Sequence, residues 1–434
     1  MKGLIGLFTA GTISQIGSRM TFLAVPWLVL VTTGSPTRMG LAAAAEWLPY
    51  VLAAPLGAPL LDRFGARRIA IGADLASALA TAAVALGYVG GFGSLLALLV
   101  VAGALRGMGD NAKRMLLPRT IAASGVDITR AASVYDGVNR LAGLLGAGIG
   151  GSVIVWLGAP GAVLFDGATF AVCALLVWLL VPADTAGGPV PLTGLAKVLA
   201  APREPYLTAI RGGARYLRED RLMVGILALL FVTNLADQAN AAVFVPLWVD
   251  QVLHSPIALG FTGGAFALGA VLGNIGFTAL APRAPRYAVF TIGFLLGGAP
   301  RLFTLALSDT LTLVLAVSFV GGLAMAAVNP ILSAVSFERV PEHLQARVLS
   351  LSTAIAYAGI PLGGLVGGWA VNGMGLTWSL ALFGGLYLAA TLLPVVDRQT
   401  WRQLDRRPDA AATVPAPRRP EPAESSPGVE VGVA

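Results

Sequence analysis

Twelve apolar stretches, each long enough to cross a bilayer, leave this 434-residue chain almost no soluble fold to adopt. At about 20 apolar residues per crossing, spans are predicted over 4–31, 39–61, 69–89, 95–117, 134–158 and 162–181, then 222–249, 257–280, 288–307, 311–337, 348–371 and 376–396. The fourth is the least regular, because its clean run 95–105 gives way to Arg106, Asp110, Lys113 and Arg114; topological parity requires it to cross. Charged residues make up 12% of the chain, against about 25% in soluble domains, too few to cover a surface that water could wet. The 54 glycines suit helices that pack backbone to backbone in lipid.

The charges that remain are unevenly placed. With the N-terminus inside, 24 of the 29 Lys and Arg fall in inner loops, the central segment or the tail; Arg19, Arg106, Arg140 and Arg301 lie within spans, and Arg38 faces out. The positive-inside rule therefore predicts a multi-pass protein of the cell (cytoplasmic) membrane with both termini cytoplasmic. Its net charge of +7 follows from topology rather than from nucleic-acid binding, with anionic lipid as the surface such a face meets. One cysteine, Cys173, and two distant histidines, His254 and His343, predict no metal site and no cofactor. The first span is too long for a signal-peptide core and lacks a small-residue cleavage site, so it is expected to stay.

The two halves share a pattern. A shift of 220 superposes Val25, Pro26, Val29, Ser35, Pro36 and Gly40 on Val245, Pro246, Val249, Ser255, Pro256 and Gly260. A shift of 217 superposes Gly146, Gly150 and Gly151 on Gly363, Gly367 and Gly368. The halves read as parallel repeats. Glycines four apart share a helix face and admit another backbone, so spans 5 and 11 are expected to pack tightly, against spans 8 and 2 across the repeat interface; the alternative is glycine as filler on the lipid face. Between the halves, Arg211, Arg215 and Arg218 recur beside Leu207, Ile210 and Leu217, the pattern of an interfacial helix. From Asp397 the chain holds six prolines between Pro408 and Pro427 and little apolar content, and is expected to be disordered. The predicted division is 1–181 (N-terminal six-helix bundle), 182–221 (cytoplasmic linker), 222–396 (C-terminal six-helix bundle) and 397–434 (cytoplasmic tail).

The loop between spans 2 and 3 carries Gly57, Asp62, Arg63, Gly65, Arg67 and Arg68. It resembles the loop signature of the major facilitator superfamily, with Ala58 at the position of the opening glycine and Ala66 at that of a basic residue. The resemblance implies that Asp62 caps the inner end of helix 11 in one conformation; a carboxylate near a helix N-terminus gains about 0.3–1 kcal/mol, enough to bias two states. Gly146, Gly150 and Gly151 resemble the span 5 motif of the superfamily's exporters, with Ala147 and Ala142 in place of its proline and leading glycine. Arg106 stands where that resemblance places a buried arginine that assists proton transfer, with Asp110 in place of a glycine. Together with Leu105 to Pro118 and Phe165 to Phe170, these features make spans 1 to 12 similar to the drug/proton antiporter-like branch holding siderophore exporters and macrolide efflux proteins.

Ionisable groups inside spans are read as functional by default. At 1.5 Å per residue, Arg19, Arg106 and Asp237 lie about 16–18 Å from the outer ends, Glu46 and Arg301 about 10 Å, and Asp110 about 22 Å. A carboxylate that couples transport to protons must bind its proton more tightly when its site is dry than when water or an arginine reaches it. Glu46 and Asp237 are the candidates, with Arg19, Arg106 and Asp110 as partners. Glu46 is expected to pair with Arg19, and Arg106 with Asp110 at i,i+4; a permanent structural ion pair is the alternative for each. Asp74, Asp136, Arg140 and Asp166 read as structural. Asn234, Gln238 and Tyr357 are the substrate-cavity candidates, Tyr357 standing out by its depth in span 11.

The resemblance implies an all-α membrane protein of twelve transmembrane helices, two pseudo-symmetric six-helix bundles about a central cavity, working as a monomer. The function expected is export of an amphipathic small molecule, a drug, secondary metabolite or siderophore, by proton antiport with alternating access. The rival is a proton-coupled importer or facilitator of one metabolite on the same fold. No nucleophile-and-base cluster is evident, so no enzyme and no catalytic residue are expected.

Overall fold

The computed structural model describes residues 2–87, 90–126, 128–182, 206–280 and 284–406, and apart from short turns these are helical. The first half comprises α1 (Lys2–Thr33), α2 (Pro36–Phe64), α3 (Ala66–Gly87), α4 (Phe92–Ser124) and α5 (Ile128–Leu180). After α6 (Tyr206–Glu219) come α7 (Arg221–Ala239), α8 (Ile257–Leu280), α9 (Arg286–Gly297), α10 (Ala299–Leu307), α11 (Leu311–Met325), α12 (Val328–Arg339), α13 (Glu342–Met374), α14 (Leu376–Val396) and α15 (Arg398–Trp401).

Among the described residues, ten segments are long and apolar enough to cross a membrane. One of them holds two crossings: α5 turns back at Gly158, whose φ of +72° an L side chain adopts only with strain. The 29-residue helix α2 supplies a further crossing, in keeping with twelve. Its ends are marked by the residues expected there: the Ser35 hydroxyl accepts from Arg38 N, Pro36 opens the first turn, and Gly65 at φ +81° ends it. Span 9 is divided into α9 and α10 at Gly298, and span 10 into α11 and α12 at Ala326 and Ala327. The fourth crossing is longer than the sequence reading allowed, running unbroken to Ser124.

Within the first half, α1 packs along α5, α4 along α2 and α3, and α3 along α5; in the second, α7 lies along α13, α8 along α11 and α10 along α14. The halves meet where α2 crosses α13 and α5 crosses α8. The turns at Gly34, Gly158 and Gly375 mark one end of the assembly, here the neutral face; the loop at Gly65 and the α12–α13 turn mark the other, the basic face.

Glycine sets the spacing at these crossings. Gly146 and Gly150 turn to α1, where added Cβ atoms would stand 2.7 Å from the Ile16 carbonyl oxygen and 3.0 Å from Leu23 Cδ1. Gly151 turns the other way, to α8, where a Cβ would lie 2.8 Å from the Pro256 carbonyl oxygen. The second half repeats this: Gly363 and Gly367 face Leu235 and Ala239 of α7, and Gly368 meets Pro36 and Thr37 of α2. Gly40 and Gly364 touch backbone to backbone at the same seam.

One expectation needs correction. Residues 397–406 are ordered rather than part of a disordered tail: Trp401 and Leu404 are buried, and the Asp405 carboxylate accepts from Tyr287 N at 2.9 Å. The reason is those two apolar side chains, Trp401 packing beside Gly225 and Phe290 and Leu404 joining the same buried cluster; residues 407–434 lie outside the described residues. The central helix α6 is docked as well as amphipathic, since the Tyr216 hydroxyl donates to the Arg339 carbonyl at 2.8 Å and Asp220, capping α7, also pairs with Arg339. Residues 183–205 are not described.

Replacing Gly151 or Gly40 by valine forces two backbones apart and is expected to cost about 1–3 kcal/mol by overpacking, read as a lower unfolding temperature of the purified protein. Gly276→Val, at a position with open space around it, is expected to leave that temperature unchanged.

Candidate functional site

Between the two halves lies a cavity of about 600 Å³. Its wall is largely small and apolar, with Leu23, Ala147, Gly263, Ala267, Ala270 and Val271 contributing from both repeats. Polar groups come mainly from α7 and its continuation, Asn234, Gln238 and Asn240, with Gln15 opposite. Beyond Ala239 this helix widens into π turns over Asn240–Phe244 and Val249–Leu253. Pro246 between them has no N–H to give an ordinary helical bond, and single π turns are frequent at functional sites.

Of the predicted cavity residues, Asn234 and Gln238 line it. Asn234 is partly committed, its Nδ2 donating to the Ala356 carbonyl at 2.9 Å and so tying α7 to α13. Tyr357 does not line the cavity; it is half exposed on α13. Depth in a span was its only signal, and depth does not say which way a helix face turns.

Asp237 and Arg301 form an ion pair at 2.6 Å on the cavity wall, joining α7 to α10. Arg301 also donates to the Gly297 carbonyl exposed by the break at Gly298, and its guanidinium lies 4.6 Å from the Phe266 ring centroid. The buried Tyr387 hydroxyl lies beside this pair without a hydrogen bond of ordinary geometry.

In the first half the pairings differ from those expected. Glu46 binds Arg106 at 2.6 Å, not Arg19. The cause is local: Gly103 and Gly107 flank Arg106, and their missing side chains let α4 lie on α2, with a Cβ at Gly103 only 3.0 Å from the Glu46 carbonyl carbon. Arg106 is thereby drawn away from Asp110, which accepts from the Tyr50 hydroxyl at 3.2 Å and pairs with Lys113 at 3.3 Å. The guanidinium of Arg106 also stacks 5.0 Å from the Tyr50 ring centroid.

Lys113 is the residue that sequence reasoning misplaced. Its place after Arg106 and Asp110 puts it with the inner-loop charges, yet it is buried, 3.0 Å from Asp74 and beside Cys173. Its signal was helical spacing, since Arg106, Asp110 and Lys113 recur at four and three residues and share a face. Asp166 is equally buried, accepts from the Thr21 hydroxyl at 2.6 Å, and shares a small void with Glu46 and Arg106. The side chains of Asp136 and Arg140 lie outside the described residues.

At the loop between α2 and α3, Gly65 ends α2, while Arg63 and Arg68 are exposed. Arg67 caps α5, donating to the carbonyls of Val181 at 2.6 Å and Trp178 at 2.7 Å. The Asp62 side chain lies outside the described residues. Arg19 faces the cavity and forms no ion pair among the described residues.

Removing one partner of a buried ion pair leaves the other charge uncompensated, at a cost of about 3–5 kcal/mol. Lys113→Met is therefore expected to lower the unfolding temperature sharply, and Asp74→Asn in the same chain to recover part of the loss.

The profile of the Major Facilitator Superfamily matches residues 7–250 and 227–427. The multidrug efflux pump Tap of Mycobacterium tuberculosis is 29% identical over 411 residues, 92% of this chain and 94% of that protein. Tap of Mycolicibacterium fortuitum is 29% identical over 400 residues, 91% of this chain and 94% of that protein. Among solved structures, the nucleoside transporter NupG superposes with a TM-score of 0.71 at 14% identity, covering 91% of this chain and 99% of that one. A bacterial homolog of the human lysosomal transporter Spinster, inward-facing and occupied, superposes at 0.68 and 16% identity, covering 93% and 98%. At these identities the two structures speak for the fold alone. Since the matched residues cover nearly the whole chain, the chain belongs to the Major Facilitator Superfamily of membrane transporters.

Proposed function

We propose that this protein exports amphipathic small molecules, drugs or secondary metabolites, across the cell membrane in exchange for protons, through a cavity that opens alternately to either side. The observation that carries the reading is the cavity of about 600 Å³ at the seam of the repeats, apolar over most of its wall and bordered by ionisable groups. A sugar-like substrate needs many fixed hydrogen bonds, whereas such a wall suits a large apolar body with one or two polar groups. The name of the Tap relatives, multidrug efflux pump, supports the outward direction.

In this reading the basic face and both termini are cytoplasmic. The glycine contacts of α2 with α13 and of α5 with α8 then form the outer seal, and rocking of the halves parts them. Glu46 and Asp237 are the proposed proton carriers. A proton on Glu46 cancels its attraction for Arg106 and leaves that guanidinium to Asp166 across their shared void; a proton on Asp237 loosens Arg301 at the cavity wall. Asp110, through Lys113, links the first exchange to the basic face. Asp62, Arg63, Gly65, Arg67 and Arg68 are the proposed switch loop there, and Asn234 and Gln238 touch substrate. The transporter acts as a monomer.

The test uses inverted vesicles with an imposed acid-inside gradient, challenged with erythromycin, ethidium and a siderophore. Export predicts alkalinisation of the lumen on addition of a substrate, and Glu46→Gln is expected to reduce that signal about tenfold or more, the upper range for loss of one proton-transfer group being larger still. An unchanged signal removes Glu46 from the mechanism. Uptake of the compounds into right-side-out vesicles overturns export.

A further inference from the structure

Three ionisable side chains line the central cavity: Arg19, Asp237 and Arg301. Asp237 and Arg301 neutralise each other at 2.6 Å. Arg19 makes no ion pair among the described residues, and the neighbouring cation Arg106 has its own charge answered by Glu46. Among the described residues the wall therefore carries one uncompensated positive charge, on a side chain that does not shed its proton in proteins.

The packing keeps this guanidinium open to the cavity. Gly143 and Gly146 of α5 face Arg19, where added Cβ atoms would lie 3.8 Å from its Nε and 2.8 Å from its Cβ. Larger side chains there would lie across the stem and head of the arginine. Gln15, one helical turn earlier, borders the same space. Around them the wall turns apolar, with Phe22 and Leu23 on one side and Phe266 and Ala267 on the other. A cation at mid-depth is costly without a partner, and none of the described residues supplies an opposite charge to it.

We infer that the cavity selects molecules that carry an acid group on an apolar body, the carboxylate or similar anion pairing with Arg19 by the two-pronged geometry that a guanidinium offers. The inference rests on the transport reading and narrows its substrate class. Simple lipophilic cations meet an unmatched like charge, and the carboxylate they would seek, Asp237, is already held by Arg301.

The probes are 1-pyrenebutyrate and 1-pyrenebutylamine, which share an apolar body and differ in head-group charge. Binding to the purified full-length protein is followed by energy transfer from tryptophan, Trp47 being on the cavity wall. The acid is expected to bind about tenfold more tightly than the amine. Arg19→Gln is expected to weaken the acid about tenfold while leaving the amine as it was or tighter, so retained amine binding shows that the variant is folded. Arg19→Lys keeps the charge, though not the fork, and is expected to retain most of the preference. Equal affinities, preference for the amine, an unaffected acid in Arg19→Gln, or binding of neither probe overturns the inference. No gradient enters this assay: a protein that prefers the acid yet moves no protons sinks the antiport reading alone, and one that exports ethidium without preferring the acid sinks this inference alone.

Discussion

Hydrocarbon offers no partner to a stray charge, and the interior of this bundle is arranged around that constraint. Most of its buried ionisable groups are answered by another group of the chain: Glu46 by Arg106, Asp74 and Asp110 by Lys113, Asp237 by Arg301, and Asp166 by the Thr21 hydroxyl. Apart from Asp110 and Lys113, which share α4, each of these contacts joins two different segments of the bundle, so the charges also tie neighbouring helices together. Arg19 departs from the pattern, and it does so at the cavity, where space rather than lipid meets it.

The pairs form only because backbones come close enough for short side chains to meet. Gly103 and Gly107 bring α4 onto α2 and with it Arg106 onto Glu46. Gly269 and Gly322 do the same for α8 and α11 in the other repeat, where Phe266 holds the place that Glu46 has in the first. The glycine ladders of α5 and α13 serve two neighbours at once, the first helix of their own repeat and the second helix of the other. A contact built from missing side chains has little to interlock, a property that suits a seam required to open.

Much of the fold was legible in the sequence and much of the site was not. The apolar runs, the repeat in Pro26 and Pro246, and the ladders at Gly146 and Gly363 could be read directly, because length and small-residue spacing act locally along a helix. Partner choice was harder. Glu46 lay within reach of Arg19 and Arg106 alike, and Asp110 within reach of Arg106 and Lys113; one-dimensional spacing ranks none of these. Lys113 read as a surface residue because it follows two other charges at the end of an apolar run. Trp401 and Leu404 read as part of a polar tail because two apolar side chains weigh little against the prolines that follow.

What the sequence by itself determined is the all-helical, membrane-crossing character of the chain, the asymmetry of basic residues along it, and the kinship of the two halves. Those follow from the thickness of a bilayer, the cost of carrying charge across it and the period of a helix. What only the tertiary structure decided is which helix faces meet, and hence which charges pair and which one stays open to the cavity. In a soluble protein the apolar stripe of a helix announces the face it buries. Here lipid and neighbouring helices are equally apolar, so the sequence pattern is nearly silent about orientation, and the choice passes to glycine contacts and the reach of a few charged side chains in three dimensions.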